Sequence, residues 1–244
     1  MLRKLVNVII LAYYFIRFYS FYLPAIYRAK RAVSHDEQQR ARDILYHNTT
    51  CKLFSMIDTR LDIRGNANVE SMGRPVIYIS NHPSLLDIPA LFRAINTNTR
   101  MLYSSDVLTL PLPGFRWILM TFNHLPIDDK PGEQLEKDLE RVNQAMAKGG
   151  YYWAALKKGA ESKRLAQYKK SLFHMAKEHQ ALVIPLCIKG SDDIITQGKG
   201  WLNVQINRGL SIECMVLPTI DANHYEDAKG VWDACDMAIK KALE

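Results

Sequence analysis

Apolar and polar positions along the chain fall into blocks of two periods. Residues 5–16 (LVNVIILAYYFI) are strongly apolar, preceded by Arg3 and Lys4; after Arg17 comes FYSFYLPAIY, then Arg28, Lys30 and Arg31. Residues 36–57 carry Ile44, Leu45, Leu53, Phe54 and Ile57 at helical spacing and predict a helix. RLDIRG (60–65) alternates as a strand does, and PVIYIS (75–80) is a compact apolar strand running into Asn81-His82-Pro83. Proline suits the first turn of a helix, where its missing N–H has no partner to lose, so SLLDIPALFRAI is predicted helical from there. Further helices are predicted over 133–148, ending at Gly149-Gly150, over 165–179 and over 231–243. LVIPLCI (182–188) has the continuous apolar character of a buried strand, and VQI (204–206) and LSIECMVL (210–217) are strand-like. Helices alternating with short apolar strands predict an α/β fold with a mostly parallel central sheet flanked by helices, preceded by an apolar N-terminal helix.

The N-terminal block sets the organisation: a membrane-anchoring helical segment over 1–35 and an α/β domain over 36–244. No small-residue cleavage site follows the apolar run, which argues against a signal peptide. Residues 5–27 suffice for a span only with Arg17 at mid-depth. Five Tyr or Phe between positions 13 and 19 suit a bilayer interface. The expectation is a helix lying in or dipping into the cytoplasmic leaflet, with its cations on anionic lipid. The competing reading is an apolar helix packed on the domain body.

Of 244 residues, 48% are apolar and 23% charged, which fits a globular chain and excludes both wholesale disorder and a polytopic membrane protein. The net charge is +7. Residues 1–50 hold eight basic and three acidic residues; 157–170 (KKGAESKRLAQYKK) hold six and one. Everything else is therefore slightly acidic. Aromatic residues in the N-terminal block flank a greasy core instead of alternating with charge, which argues against nucleic acid as a partner. The four cysteines (Cys51, Cys187, Cys214, Cys235) are too few and too scattered for a disulfide framework or a zinc site.

The strongest chemical signal is Asn81-His82-Pro83-Ser84-Leu85-Leu86-Asp87. A strand end leading into a helix is where an α/β sheet usually places its active site. A histidine there takes a proton near neutral pH. Asp87, one helical turn further on, can fold back to fix the ring's tautomer and stabilise the imidazolium. No serine or cysteine sits in an elbow motif, so direct attack by a substrate hydroxyl is the simpler mechanism. A helix-capping His/Asp pair with no catalytic role has the same spacing. His174 and His179, five apart on a predicted helix, are poorly spaced for two ligands on one face, and no metal is expected.

IYISNHPSLLDIPAL resembles the N-H-x4-D block of the 1-acyl-glycerol-3-phosphate (lysophosphatidate) acyltransferase family. VLTLPLPGFRWILMTFNHLPIDD (107–129) is similar to its second block, SLFHMAKEHQALVIPLCIKGSDD (171–193) to its later V-P block, and VQINRGLSIE to its closing strand pair. The resemblance covers roughly residues 43–217. It implies that His82 deprotonates an acceptor hydroxyl, that Asp87 orients His82, and that an acyl thioester of coenzyme A or acyl carrier protein is the donor. It also implies that Asn81 and Ser84 line the substrate site, and no cofactor beyond the donor. Membrane lipids are the implied partners.

The third block departs from the family's F-P-E-G-T-R. Leu156-Lys157-Lys158-Gly159-Ala160-Glu161-Ser162 keeps only the glycine and inverts both charges, and the second block has Asp129 where the family has arginine. A carboxylate supplies acceptors only and cannot replace an arginine fork on phosphate. Lys157, Lys158, Lys163 or Lys130 are thus candidates for binding the acceptor's phosphate from another angle, and Lys130, Lys158 and the retained Gly159 are expected in the substrate site. The alternatives are an acceptor without a phosphomonoester, and a scaffold that binds lipid or acyl chains without catalysis. A hydrolase using His82 and Asp87 on water is a further rival.

Overall fold

The structure is a computed structural model and describes residues 2–67, 69–109, 114–128, 132–156, 163–197 and 204–244. The chain begins with α1 (Leu2–Arg31), α2 (His35–Asp43) and α3 (Thr49–Met56), the last two joined through a π-helical turn at Ile44–Asn48. The predicted helix over 36–57 is thus nearly continuous but underwound in the middle. Its start is set by Ser34 and Glu37, which cap each other reciprocally: Glu37 N donates to Ser34 Oγ and Ser34 N to Glu37 Oε2.

β1 (Arg60–Arg64), β2 (Pro75–Asn81), α4 (Asp87–Ala94), β3 (Arg100–Ser104), α5 (Phe115–Thr121), β4 (Leu125–Ile127), α6 (Glu133–Met146) and β5 (Gly150–Leu156) follow. Then come α7 (Lys163–Glu178), β6 (Leu182–Lys189), α8 (Ser191–Ile194), β7 (Ile195–Gln197), β8 (Val204–Ile206), β9 (Ser211–Val216), β10 (Ile220–Asp221) and α9 (Ala228–Leu243). The main sheet runs β1-β9-β6-β2-β5-β3-β4, with β10 added on β6. Its pairings are parallel except at β6–β9 and β6–β10. The expected mostly parallel sheet flanked by helices is what forms.

Several details differ from the pattern-based expectation. β8 does not pair with β9; it pairs antiparallel with β7 in a small separate sheet, because β9 already has partners on both edges, β1 and β6. Helix α4 begins at Asp87, not at Pro83, because the intervening turn satisfies its own polar groups. β3, β4, β5 and α5 are elements that the apolar pattern does not single out.

Two cores sandwich the sheet. On one face Tyr78, Trp153, Ile184 and Cys214 meet α3, α4, α5 and the end of α1; on the other Ile77, Ile79, Tyr152 and Val183 meet α6, α7 and α9. β2 is central and buried on both faces from Pro75 to Ser80, which is why PVIYIS reads as a continuous apolar run.

Packing does not break at residue 35. Ala25, Ile26 and Ala29 of α1 belong to the same core as β2. Gly114, at φ +79°, opens α5 against them, and a Cβ there would lie 2.5 Å from Ile26 Cδ1. Earlier in α1 the apolar side chains turn outward: Ile9, Tyr13, Ile16, Leu23 and Tyr27 are all exposed, Ile16 to 70%. Their spacing keeps them on one side of the helix. Among the described residues, no helix is long and apolar enough to cross a membrane.

Candidate active site

β2 delivers His82 to the C-terminal edge of the sheet. Its backbone ladder with β6 ends at the Ser80–Leu186 pair. One residue later the Asn81 carboxamide continues the ladder. Nδ2 donates to Ile188 O at 2.7 Å, and Ile188 N donates to Oδ1 at 2.8 Å. Asn81, expected to line the substrate site, has both ends of its amide engaged by β6.

The next five residues fold back on themselves. His82 Nδ1 lies 2.8 Å from Asp87 Oδ2, and the same oxygen accepts from Ser84 N at 2.8 Å. Asp87 N donates to Ser84 O and Leu86 N to Ser84 Oγ. Ser84, also expected at the substrate site, shapes this turn with its hydroxyl and amide. Asp87 is fully buried, and its Oδ1 has no hydrogen-bond partner among the described residues; the His82 side chain keeps 19% of its surface exposed. A carboxylate accepts only, so Nδ1 is the protonated ring nitrogen and Nε2 carries the lone pair. Among the described residues, Leu85 N–H is the one amide between Ser84 and Asp87 without a partner.

The surroundings of the pair are apolar. Trp153 of β5 stands edge-to-face with the His82 ring, centroids 6.1 Å apart. The buried Cys214 thiol is close enough to sense the Asp87 charge; burial first, then Cys187 and Asp87, pushes it up to about 12, so it stays protonated and inert. His179 is tied to Asn143 Oδ1 at 2.6 Å while His174 is exposed, so these two do not act together. Lys130, Lys158 and Gly159 lie outside the described residues, as does Glu161. Leu156, the last residue of β5, is the register partner of Asn81. The altered third block therefore begins one residue from His82 across the sheet.

Sequence reasoning missed Trp153, Ser80 and the Ile188 backbone. The five-residue His–Asp spacing is a local signal, whereas these are long-range contacts with none in the sequence.

A family model described as Acyltransferase matches residues 60–189, more than half of the chain and spanning β1 to β6. The chain belongs to the acyltransferase family. Within it the relatives are lysophosphatidate acyltransferase-like. A chloroplastic 1-acyl-sn-glycerol-3-phosphate acyltransferase of Arabidopsis thaliana is 26% identical over 165 residues, covering 65% of this chain and 45% of that one. One from Brassica napus is 27% identical, with 65% and 47% covered. The chain thus spans about half the length of these curated relatives. A third, from Chlamydomonas reinhardtii, is 21% identical over all of this chain and 71% of its own. Among solved structures, the 1-acyl-sn-glycerophosphate acyltransferase PlsC of Thermotoga maritima superposes with a TM-score of 0.68 at 17% identity. It covers 99% of this chain and 98% of that one, so the two share the whole fold.

Proposed function

We propose that this acyltransferase moves an acyl group from a thioester of coenzyme A or acyl carrier protein to a hydroxyl of a lysophospholipid or related lipid. The observation that carries the reading is the 2.8 Å contact between His82 Nδ1 and the buried Asp87 carboxylate, which leaves Nε2 basic at the sheet edge. Nε2 takes the proton of the acceptor hydroxyl as its oxygen attacks the thioester carbonyl. The carbonyl π pair moves onto oxygen. Leu85 N–H, without a partner among the described residues, is the turn's donor for that oxyanion. Collapse of the tetrahedral intermediate re-forms the C=O and breaks C–S. The imidazolium returns its proton to the departing thiolate, leaving an ester and a free thiol. Asp87 stabilises the imidazolium between the two transfers. Asn81 and Ser84 serve by shaping the turn.

We place the enzyme at a membrane surface. The exposed stripe of α1 supplies the apolar contact, and its cations lie beside it: Lys30 Nζ sits over the Trp117 ring at 4.7 Å and the Arg31 guanidinium over Tyr27 at 4.5 Å. Aromatic rings carrying flanking cations are the composition of an interfacial helix on anionic lipid.

The test is thiol release from acyl-CoA and acyl-carrier-protein donors against a panel of lysolipids. His82→Ala should abolish acceptor-dependent release while the fold persists; release at the wild-type rate would sink the base assignment. Free fatty acid formed without acceptor would point to hydrolysis, and lipid binding without thiol release to a non-catalytic scaffold.

A further inference from the structure

Trp153 lies against His82 and against the helix that Asp87 opens. It sits in the middle of β5 and is buried to 2%. Its Nε1–H donates to Ser80 Oγ at 2.9 Å, two residues before His82 on β2. Its ring is nearly perpendicular to the His82 imidazole, at 85°, and to Phe92 at 77° with centroids 6.3 Å apart. Phe92 belongs to α4, the helix that Asp87 opens. One rigid indole therefore touches the strand that ends at His82 and the helix that begins at Asp87.

The covalent route between those two residues is the turn 83–86, whose Pro83 and Leu85 are exposed. Such a turn sets the local hydrogen bonds but not the angle between strand and helix. An indole has only two side-chain torsions, and its single N–H selects one of the two ring flips in a closely packed slot. The bond to Ser80 is thus what keys the ring, and the keyed ring is what wedges β2 against α4.

We propose that Trp153, keyed by Ser80, is a positioning residue that holds His82 and Asp87 in catalytic register. The proposal rests on the reading of His82 as the base. A displacement of the reacting groups by about 1 Å costs on the order of 100-fold in rate. Substrate binding elsewhere on the surface is untouched by such a shift, so the loss falls on kcat and spares KM.

The test is a double-mutant cycle in kcat, measured well below each variant's unfolding midpoint. Trp153→Phe keeps a ring and loses the N–H; Ser80→Ala removes a single oxygen and preserves the fold even if larger changes do not. Each should lower kcat about tenfold with KM for donor and acceptor within about twofold, because each deletes the same bond. The double variant should fall no further than the worse single one, and Trp153→Leu should lose about 100-fold. Unchanged kcat in both single variants, multiplicative losses in the double, or losses confined to KM or to the unfolding midpoint would each overturn the proposal. His82→Ala is run in parallel. If it is dead while the Ser80 and Trp153 variants are fully active, the positioning role fails alone. If it remains active, the base assignment fails with it.

Discussion

Replacing Asp87 separates the two things its carboxylate does. Oδ2 accepts from both His82 Nδ1 and Ser84 N, and among the described residues buried Oδ1 accepts from nothing. In Asp87→Asn the amide oxygen can therefore occupy the Oδ2 place, with the NH2 in the place no donor uses. The ring tautomer survives and only the charge is lost. A charge-assisted hydrogen bond exceeds a neutral one by about 1–2 kcal/mol, which at 1.36 kcal/mol per decade predicts a fall in kcat of about 5- to 30-fold. In Asp87→Ala nothing holds Nδ1–H, so both tautomer and orientation are lost, and the expected fall is about 10³- to 10⁴-fold. The assay is steady-state thiol release from acyl-CoA with saturating lysolipid, on protein shown by circular dichroism to be folded. KM should stay within about threefold in both variants, since neither touches a bound substrate directly. An Asp87→Ala enzyme within tenfold of wild type, or an Asn variant worse than the Ala variant, would refute the reasoning.

Three further outcomes follow from groups away from the pair. His124 is buried between Tyr46 Oη at 2.8 Å and Met101 N at 2.9 Å; burial, then Arg42 and Arg100, pushes its pKa down to about 3. Its neutral form is the folded one, so its contribution is complete above about pH 6.5 and shrinks as the pH falls toward 3, by about 2 kcal/mol between pH 6.5 and 5. His124→Gln should be less stable overall yet show a flatter urea midpoint over that range; an unchanged slope would refute the assignment. Arg74 ties the start of β2 to Asp221, with Nη1 at 2.9 Å and Nη2 at 2.5 Å, and this bond holds the Asp221 carboxyl below the usual carboxylate range. That stabilisation is present above about pH 4 and lost as the pH drops through the folded value, so Arg74→Met should cost about 1–2 kcal/mol at pH 7 and less at pH 3, read from unfolding curves. Finally, Ile16→Glu with Leu23→Glu should weaken sedimentation with phosphatidylglycerol vesicles at least tenfold and leave activity on detergent-dispersed acceptor intact. Equal sedimentation would show that the α1 stripe is not the membrane face.

What was legible in the sequence depended on how far apart the cooperating residues lie. β2 could be read because a central parallel strand is apolar on both faces, and the helix over 36–57 because its apolar positions recur at helical spacing. His82 and Asp87 could be read because their geometry is closed by a five-residue turn. β5 was hidden. YYWAAL follows Gly149-Gly150 with no alternation, and its strand character comes from lying between β2 and β3, partners 75 and 52 residues upstream. The misplaced start of α4 has a local cause. Proline at 83 is compatible with a helix start, but the Ser84 and Asp87 side chains spend the turn's amides on a return loop before the helix begins. Pairing of β8 with β9 looked natural from their adjacency and failed because sheet partners are chosen by three-dimensional order.

The same distinction bears on the acceptor. In the sheet, Leu156 stands opposite Asn81, so the third block starts beside His82 whatever path it then takes. By the resemblance, the family's arginine in this block offers phosphate a planar fork of donors, whereas a glutamate such as Glu161 carries acceptors only. The inversion at Lys158 does not undo this, because an ammonium is a point charge without bidentate geometry. The His82–Asp87 pair and the start of the third block are therefore neighbours built from separate parts of the chain, one closed by a short local turn and the other carried to the sheet edge by β5. On the proposed mechanism a change in the third block leaves the His82–Asp87 turn chemically competent, so a new acceptor is reached by altering that block alone.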